Sequence, residues 1–183
     1  MMSENKLVKL DLGCGKNKIG PEWTGVDSMS FDGVDVVCDL TTKVKNKFKK
    51  WPWEDNSVDE IHASHFIEHL DANERVNFVN EIYRILKPGS KATIIVPHWA
   101  SCRAYGDLTH KWPPVSEFWF YYLSSEWRAV NAPHNVDYNC NFVATWGYSM
   151  QQSLMVKNSE YQNYALSNYK EAAQDIIATL VKA

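Results

Sequence analysis

The stretch Lys9–Asn17, KLDLGCGKN, read together with Thr24–Ser28, TGVDS, decides the fold of this chain. Leu10 and Leu12 alternate behind the pair Leu7-Val8, which reads as a buried strand breaking into the turn Gly13-Cys14-Gly15. Glycine at 13 and 15 permits backbone conformations that a Cβ forbids and lets a ligand approach the main chain. Asp11 puts a carboxylate near the carboxyl end of that strand, the edge at which open α/β sheets bind ligands. Two nucleotide loops are excluded by spacing. The dinucleotide fingerprint G-x-G-x-x-G would need glycine where Lys18 stands, and the phosphate loop G-x-x-x-x-G-K-[ST] is absent.

Working outward, Thr24–Asp27 and Val34–Cys38 read as further short strands, the first ending in Asp27 and the second followed by Asp39-Leu40. Three acids, at 11, 27 and 39, thus each close a short apolar run. Only Lys16–Trp23, with Gly20-Pro21 inside, joins the first two strands, leaving room for one helical turn. Residues 51–61, WPWEDNSVDEI, lead into a fourth strand over Val58–Ser64, followed by His65-Phe66-Ile67-Glu68-His69-Leu70. Asp71 and Glu74 form a capping box, and Val76, Val79, Ile82, Tyr83 and Leu86 recur at helical spacing. Lys87-Pro88-Gly89 stops that helix, and Lys91–Val96 is a fifth strand.

Composition bounds the function. The chain has 183 residues and 45% hydrophobic content, enough for one well-cored domain spanning 1–183. A net charge of −3 gives no global basic field, which argues against nucleic acid and anionic membranes as partners. The basic run Lys43–Lys50 is read as a solvated face. Cys14, Cys38, Cys102 and Cys140 share no metal-like spacing or paired framework, a pattern suited to a reducing cytoplasm. No leader and no long apolar run is seen, so the expectation is a soluble cytoplasmic protein.

The loop D-x-G-x-G resembles that of class I S-adenosylmethionine (SAM) dependent methyltransferases, with Asn17 where the family often has a third glycine. The P-W-E-D-N-S-V-D approach, the S-x-x-x-E-H segment at 64–69 and the turn L-K-P-G-S before I-I-V-P are also similar to that family. The resemblance implies an α/β, Rossmann-like, mostly parallel seven-stranded sheet with helices on both faces. It implies SAM as cofactor, bound by the loop Asp11, Gly13, Cys14 and Gly15. Asp27 would take the ribose hydroxyls beside Ser28, Asp39 the adenine amino group with Leu40 near the ring, and Ser64 and His65 would line the methionine moiety.

The aromatic-rich segment 99–141 is read as an insertion that builds the substrate pocket, with Asp107-Leu108-Thr109-His110 resembling a D-P-T-H element of some small methyltransferases. Residues 141–150 and 153–157 read as the two closing strands. An amphipathic helix is expected over 159–182, carrying Leu166, Tyr169, Ala173, Ile176, Ile177 and Leu180 on one face and offering a surface for a homo-oligomer. His98, His110 and His69 are the candidate general bases. No metal is expected, since His65, Glu68 and His69 do not spell H-E-x-x-H and show no third ligand in the sequence. The expected activity is methyl transfer to an oxygen or nitrogen of a small-molecule or sugar-like acceptor. A SAM-binding module without catalysis is the alternative from another class.

Overall fold

The computed structural model describes residues 7–135 and 137–183. Seven strands form one sheet: β1 (Lys9–Leu12), β2 (Thr24–Asp27), β3 (Val36–Val37), β4 (Val58–Ser64), β5 (Leu86–Pro97), β6 (Phe142–Met150) and β7 (Ala173–Lys182). Their spatial order is β3-β2-β1-β4-β5-β7-β6. Only β7 runs against the rest, pairing antiparallel with both β5 and β6. The chain leaves β1 toward β2 and β3, then returns to the other side of β1 with β4. That reversal opens a crevice beyond the carboxyl ends of β1 and β4, the position at which such sheets bind ligands.

Between β4 and β5 lies α1 (Ala72–Ile85). Both halves of its capping box form: Glu74 N–H donates to Asp71 Oδ1 at 2.9 Å, and Asp71 N–H donates to Glu74 Oε2 at 2.8 Å. Its buried face carries Phe78, Val79, Ile82 and Ile85, and such apolar side chains stabilise the fold by roughly 1.5–3 kcal/mol each when fully buried.

The connections β1–β2 and β2–β3 contain no helix among the described residues. Glycine makes this compression feasible. A Cβ on Gly25 would meet the Gly33 carbonyl oxygen at 2.4 Å and Cys14 Sγ at 2.9 Å, so the two connections close directly onto β2. Asp35 ties them down, accepting from Gly25 N–H at 2.7 Å and from Lys18 Nζ at 2.7 Å. The basic run is a hairpin, Lys43–Val44 pairing with Lys47–Phe48, turned by Lys45 and Asn46 at φ 50° and 62°. Left-handed backbone at both central positions matches the twist of paired strands.

The carboxyl-terminal third departs from expectation. Residues 142–150 are a strand, but 153–157 are not: α5 (Gln152–Met155) is a single helical turn there. The helix expected over 159–182 stops early, as α6 (Ser159–Asn168), and β7 completes the sheet. Ala173, Ile176 and Leu180 fit a helical stripe, but Ile176, Ile177, Thr179 and Val181 are β-branched, and from Ile176 onward buried positions alternate. Ile176, Ala178 and Leu180 are fully buried against the sheet core, so the helical face imagined for a homo-oligomer does not exist.

The insertion carries α2 (Arg103–Gly106), α3 (Glu117–Tyr121) and α4 (Ser125–Asn131). Its aromatics divide. Phe120 is buried and stacks on Trp146, while Trp99, Tyr105, Trp112 and Phe118 stay exposed. No helix among the described residues is long and apolar enough to cross a membrane.

Candidate active site

The glycine loop is bound to β2 through its backbone. Gly13 N–H and Cys14 N–H both donate to the Val26 carbonyl, at 2.8 and 3.2 Å, and Gly15 N–H donates to Asp27 Oδ2 at 3.0 Å. Gly13 and Gly15 sit at φ 68° and 53°, where glycine is favoured. With all three N–H groups committed, the loop has no nest of free donors for a phosphate. It suits a ligand recognised by carboxylates.

Asp27 stands at the rim of this loop, its other oxygen accepting from Met29 N–H at 3.0 Å. Each carboxylate oxygen retains acceptor capacity for a hydroxyl. Ser28 is exposed beside it. Asp11 is only 3% exposed, and both its oxygens are engaged: Ile19 N–H donates at 2.9 Å, and His62 Nδ1 lies at 2.7 Å. Asp11 therefore braces the loop and offers a ligand its charge rather than a free edge. His62, which the sequence reading did not single out, is what fixes it. Cys14 turns its thiol toward Gly25, and burial, with Asp11 and Asp27 nearby, pushes that thiol up from its ordinary value.

The segment after β4 reaches the same loop. The Phe66 ring occupies the space where a Cβ of Gly13 would lie, with Cδ2 at 2.3 Å from that position. This brings Ser64 and His65 beside the glycine loop. His65 holds a left-handed backbone, φ 52°, and its N–H donates to Ile95 O at 2.8 Å. Its Nδ1 lies 3.1 Å from Glu68 Oε1 and its Nε2 3.9 Å from Asp175 Oδ1, carboxylates that raise its pKa. Asp175 is held in turn by Arg103 at 2.8 and 3.1 Å.

Asp39 accepts from the N–H and hydroxyl of Thr41 through one oxygen, at 2.8 and 2.7 Å, and these bonds hold its carboxyl below its ordinary value. A cavity of about 460 Å³ opens beside it, between Val36, Cys38 and Trp51. Leu40 does not face that space as a free apolar wall. It is 6% exposed within the core, and its carbonyl accepts from the Trp51 indole at 3.1 Å.

The three candidate bases separate clearly. His98 is 2% exposed; its Nδ1 accepts from Ala100 N–H at 3.1 Å, which makes Nε2 the donor to Glu117 at 2.8 Å. Neither nitrogen is free to take a proton, so His98 is a structural bridge. His69 and His110 lie together, ring centroids 4.8 Å apart. The Thr109 hydroxyl donates to Asp107 Oδ1 at 2.7 Å and so accepts from His69 Nδ1 at 2.9 Å. His110 Nδ1 donates to the Ala104 carbonyl at 3.1 Å. In the neutral form each ring therefore has its lone pair on Nε2. Sequence alone gave no sign that the Asp107–His110 element folds over His69.

Arg75 fastens that element. Buried at 6% exposure, it donates to the carbonyls of Ile67, Lys111 and Pro113, at 3.2, 3.1 and 2.6 Å, while Lys111 N–H donates to the Glu68 carbonyl at 2.7 Å. The exposed aromatics of the insertion line a neighbouring cavity of about 440 Å³ between Trp99, Tyr105, Trp112 and Phe118. A second, of about 630 Å³, shares Trp99 and Tyr105 and reaches Leu166 and Tyr169 of the α6 end.

Residues 10–94 match the family model described as "Methyltransferase domain". No curated protein matches the chain by sequence. Among solved structures, a SAM dependent methyltransferase from Archaeoglobus fulgidus superposes with a TM-score of 0.64 at 20% identity, over 96% of this chain and 86% of the other. Geranyl diphosphate C-methyltransferase from Streptomyces coelicolor gives 0.52 at 15% identity, over 97% and 71%. The 1,6-didemethyltoxoflavin-N1-methyltransferase of Burkholderia thailandensis gives 0.52 at 14% identity, over 96% and 71%. Residues 10–94 thus match a methyltransferase domain, and the sheet order gives the whole chain the fold of the class I SAM-dependent methyltransferases. The methyltransferase domain implies SAM as its cofactor.

Proposed function

We propose that this chain transfers the methyl group of SAM to an oxygen or nitrogen of a small-molecule acceptor. The observation that carries the reading is the pairing of the glycine loop with β2, which spends Gly13, Cys14 and Gly15 N–H within the protein and leaves Asp27 at the rim as the recognising group. A nucleoside bearing two ribose hydroxyls and no phosphate fits that chemistry. Bound SAM supplies a methyl on a sulfonium leaving group. The protein's part is to place the acceptor and exclude water. The cavities bounded by Trp99 and Tyr105 have the size range of small-molecule sites. His69 and His110, ring centroids 4.8 Å apart, are the remaining candidate bases.

The structurally similar proteins differ in acceptor, one being named a C-methyltransferase of geranyl diphosphate and one an N1-methyltransferase of 1,6-didemethyltoxoflavin. The acceptor must therefore be found by experiment. Release of S-adenosylhomocysteine is measured with a panel of hydroxyl and amine acceptors of matched size. Acceptor-dependent release supports the reading; binding of SAM with no release across the panel favours a non-catalytic binding module.

A further inference from the structure

We propose that Glu68, His69 and His110 form a site for a divalent first-row transition metal at the mouth of the cleft. One ligand atom from each of the three residues lies within 4.8 Å of the others. Ligands about 2.1 Å from a shared metal stand roughly 3–4 Å apart, so small side-chain rotations close the set.

The second observation is independent of that clustering. Glu68 is 5% exposed, and its Oε2 is buried with no hydrogen-bond partner among the described residues. A buried carboxylate oxygen without a partner is costly, and native structures rarely keep one without a role. Its other oxygen is held by His65 Nδ1 at 3.1 Å, which leaves Oε2 as the atom to be filled.

The histidines are prepared in the same sense. Each spends its Nδ1–H on an oxygen, His69 on the Thr109–Asp107 pair and His110 on the Ala104 carbonyl. Metal-binding histidines are characteristically fixed this way, which leaves Nε2 as the nitrogen available to a metal. Lys111, next to His110, is pinned at both its N–H and its carbonyl, by Glu68 and Arg75. The third ligand is therefore delivered by the insertion, which is why spacing within 62–69 did not show it. Asp107 Oδ2 stands 4.0 Å from His110 Nε2 as a further nearby oxygen.

Two imidazoles and one carboxylate, with no thiolate, suit Zn²⁺, Fe²⁺, Co²⁺ or Mn²⁺ better than Ca²⁺ or a soft monovalent ion. Three protein ligands leave coordination positions open to water or to an acceptor oxygen. The site stands independently of the cofactor, and its test uses no SAM. Full-length protein is stripped with chelator and titrated with Co²⁺ alone, followed by its visible absorption, then competed with Zn²⁺. One saturable equivalent is expected, lost in H69Q and in H110Q and unchanged in H134Q, which alters an exposed histidine outside the cluster. T109V, which removes the hydroxyl that joins His69 to Asp107 and no proposed ligand, should weaken binding by about 10–100-fold and serves if either ligand variant misfolds. Absence of saturable binding in the folded wild type overturns the site, as does binding in H69Q and H110Q equal to wild type.

Discussion

The Asp27 carboxylate accepts the N–H of Gly15 at 3.0 Å, tying the end of the second strand to the glycine loop that follows the first. One side chain thus shapes the loop and forms its acidic rim. In the proposed ribose role, replacing it removes a charged acceptor for ligand hydroxyls, worth about 1.5–3 kcal/mol for hydrogen bonds to a charged group. Asp27→Ala should weaken SAM by about 10–100-fold in calorimetric titration while far-UV circular dichroism stays unchanged. Unaltered affinity in the folded variant would remove Asp27 from the ribose role.

Gly13 and Gly15 both occupy left-handed backbone, but only Gly13 has a ring against it. Gly13→Ala would force the Phe66 side chain to move and strain the backbone, and should lower stability by about 2–4 kcal/mol. Gly15→Ala meets nothing within 4 Å and should cost about 1–2 kcal/mol. Thermal unfolding of the two variants checks the order.

Much of this was legible in the residues. The glycine loop, Asp27 at the end of the second strand and the capping box at Asp71 are local signals, and each lies where its local chemistry puts it. Lys87-Pro88-Gly89 follows the end of α1 as expected but belongs to β5, which already begins at Leu86, and Asp11 lies within β1 rather than beyond it. The carboxyl-terminal strand was missed because Ala173, Ile176 and Leu180 satisfy a helical period as well as a strand's alternation. Only the β-branched content, and the vacant edge between β5 and β6, distinguish the two. The Asp11–His62 pair and the Glu68–His69–His110 cluster were hidden for another reason: each joins residues far apart in the chain, so no spacing rule reports them.

Arg75 holds three carbonyls from two segments of chain. Arg75→Met keeps the apolar stem but leaves those carbonyls unpaired, and should destabilise the protein by about 2–4 kcal/mol. Hydrogen exchange should rise first at Lys111, whose N–H bonds the Glu68 carbonyl.

Glu117 predicts an acid limb. Burial pushes its carboxyl up, but hydrogen bonds from His98, its own backbone N–H and Tyr148 outweigh that and hold it below the ordinary 4.5. A carboxylate depressed in the folded state contributes stability that is present above the unfolded value and lost as pH falls through the folded one. The melting temperature should therefore decline as pH drops below about 4.5. Glu117→Gln should flatten that part of the profile, measured from pH 6 to 3.

The central claim is that the crevice beyond the first and fourth strands binds SAM, and calorimetric titration of the full-length protein with SAM, S-adenosylhomocysteine and NADH in turn tests it most directly. The account predicts one saturable site for each of the first two and none for NADH. Binding of NADH with no heat from either adenosyl-sulfur ligand would contradict it.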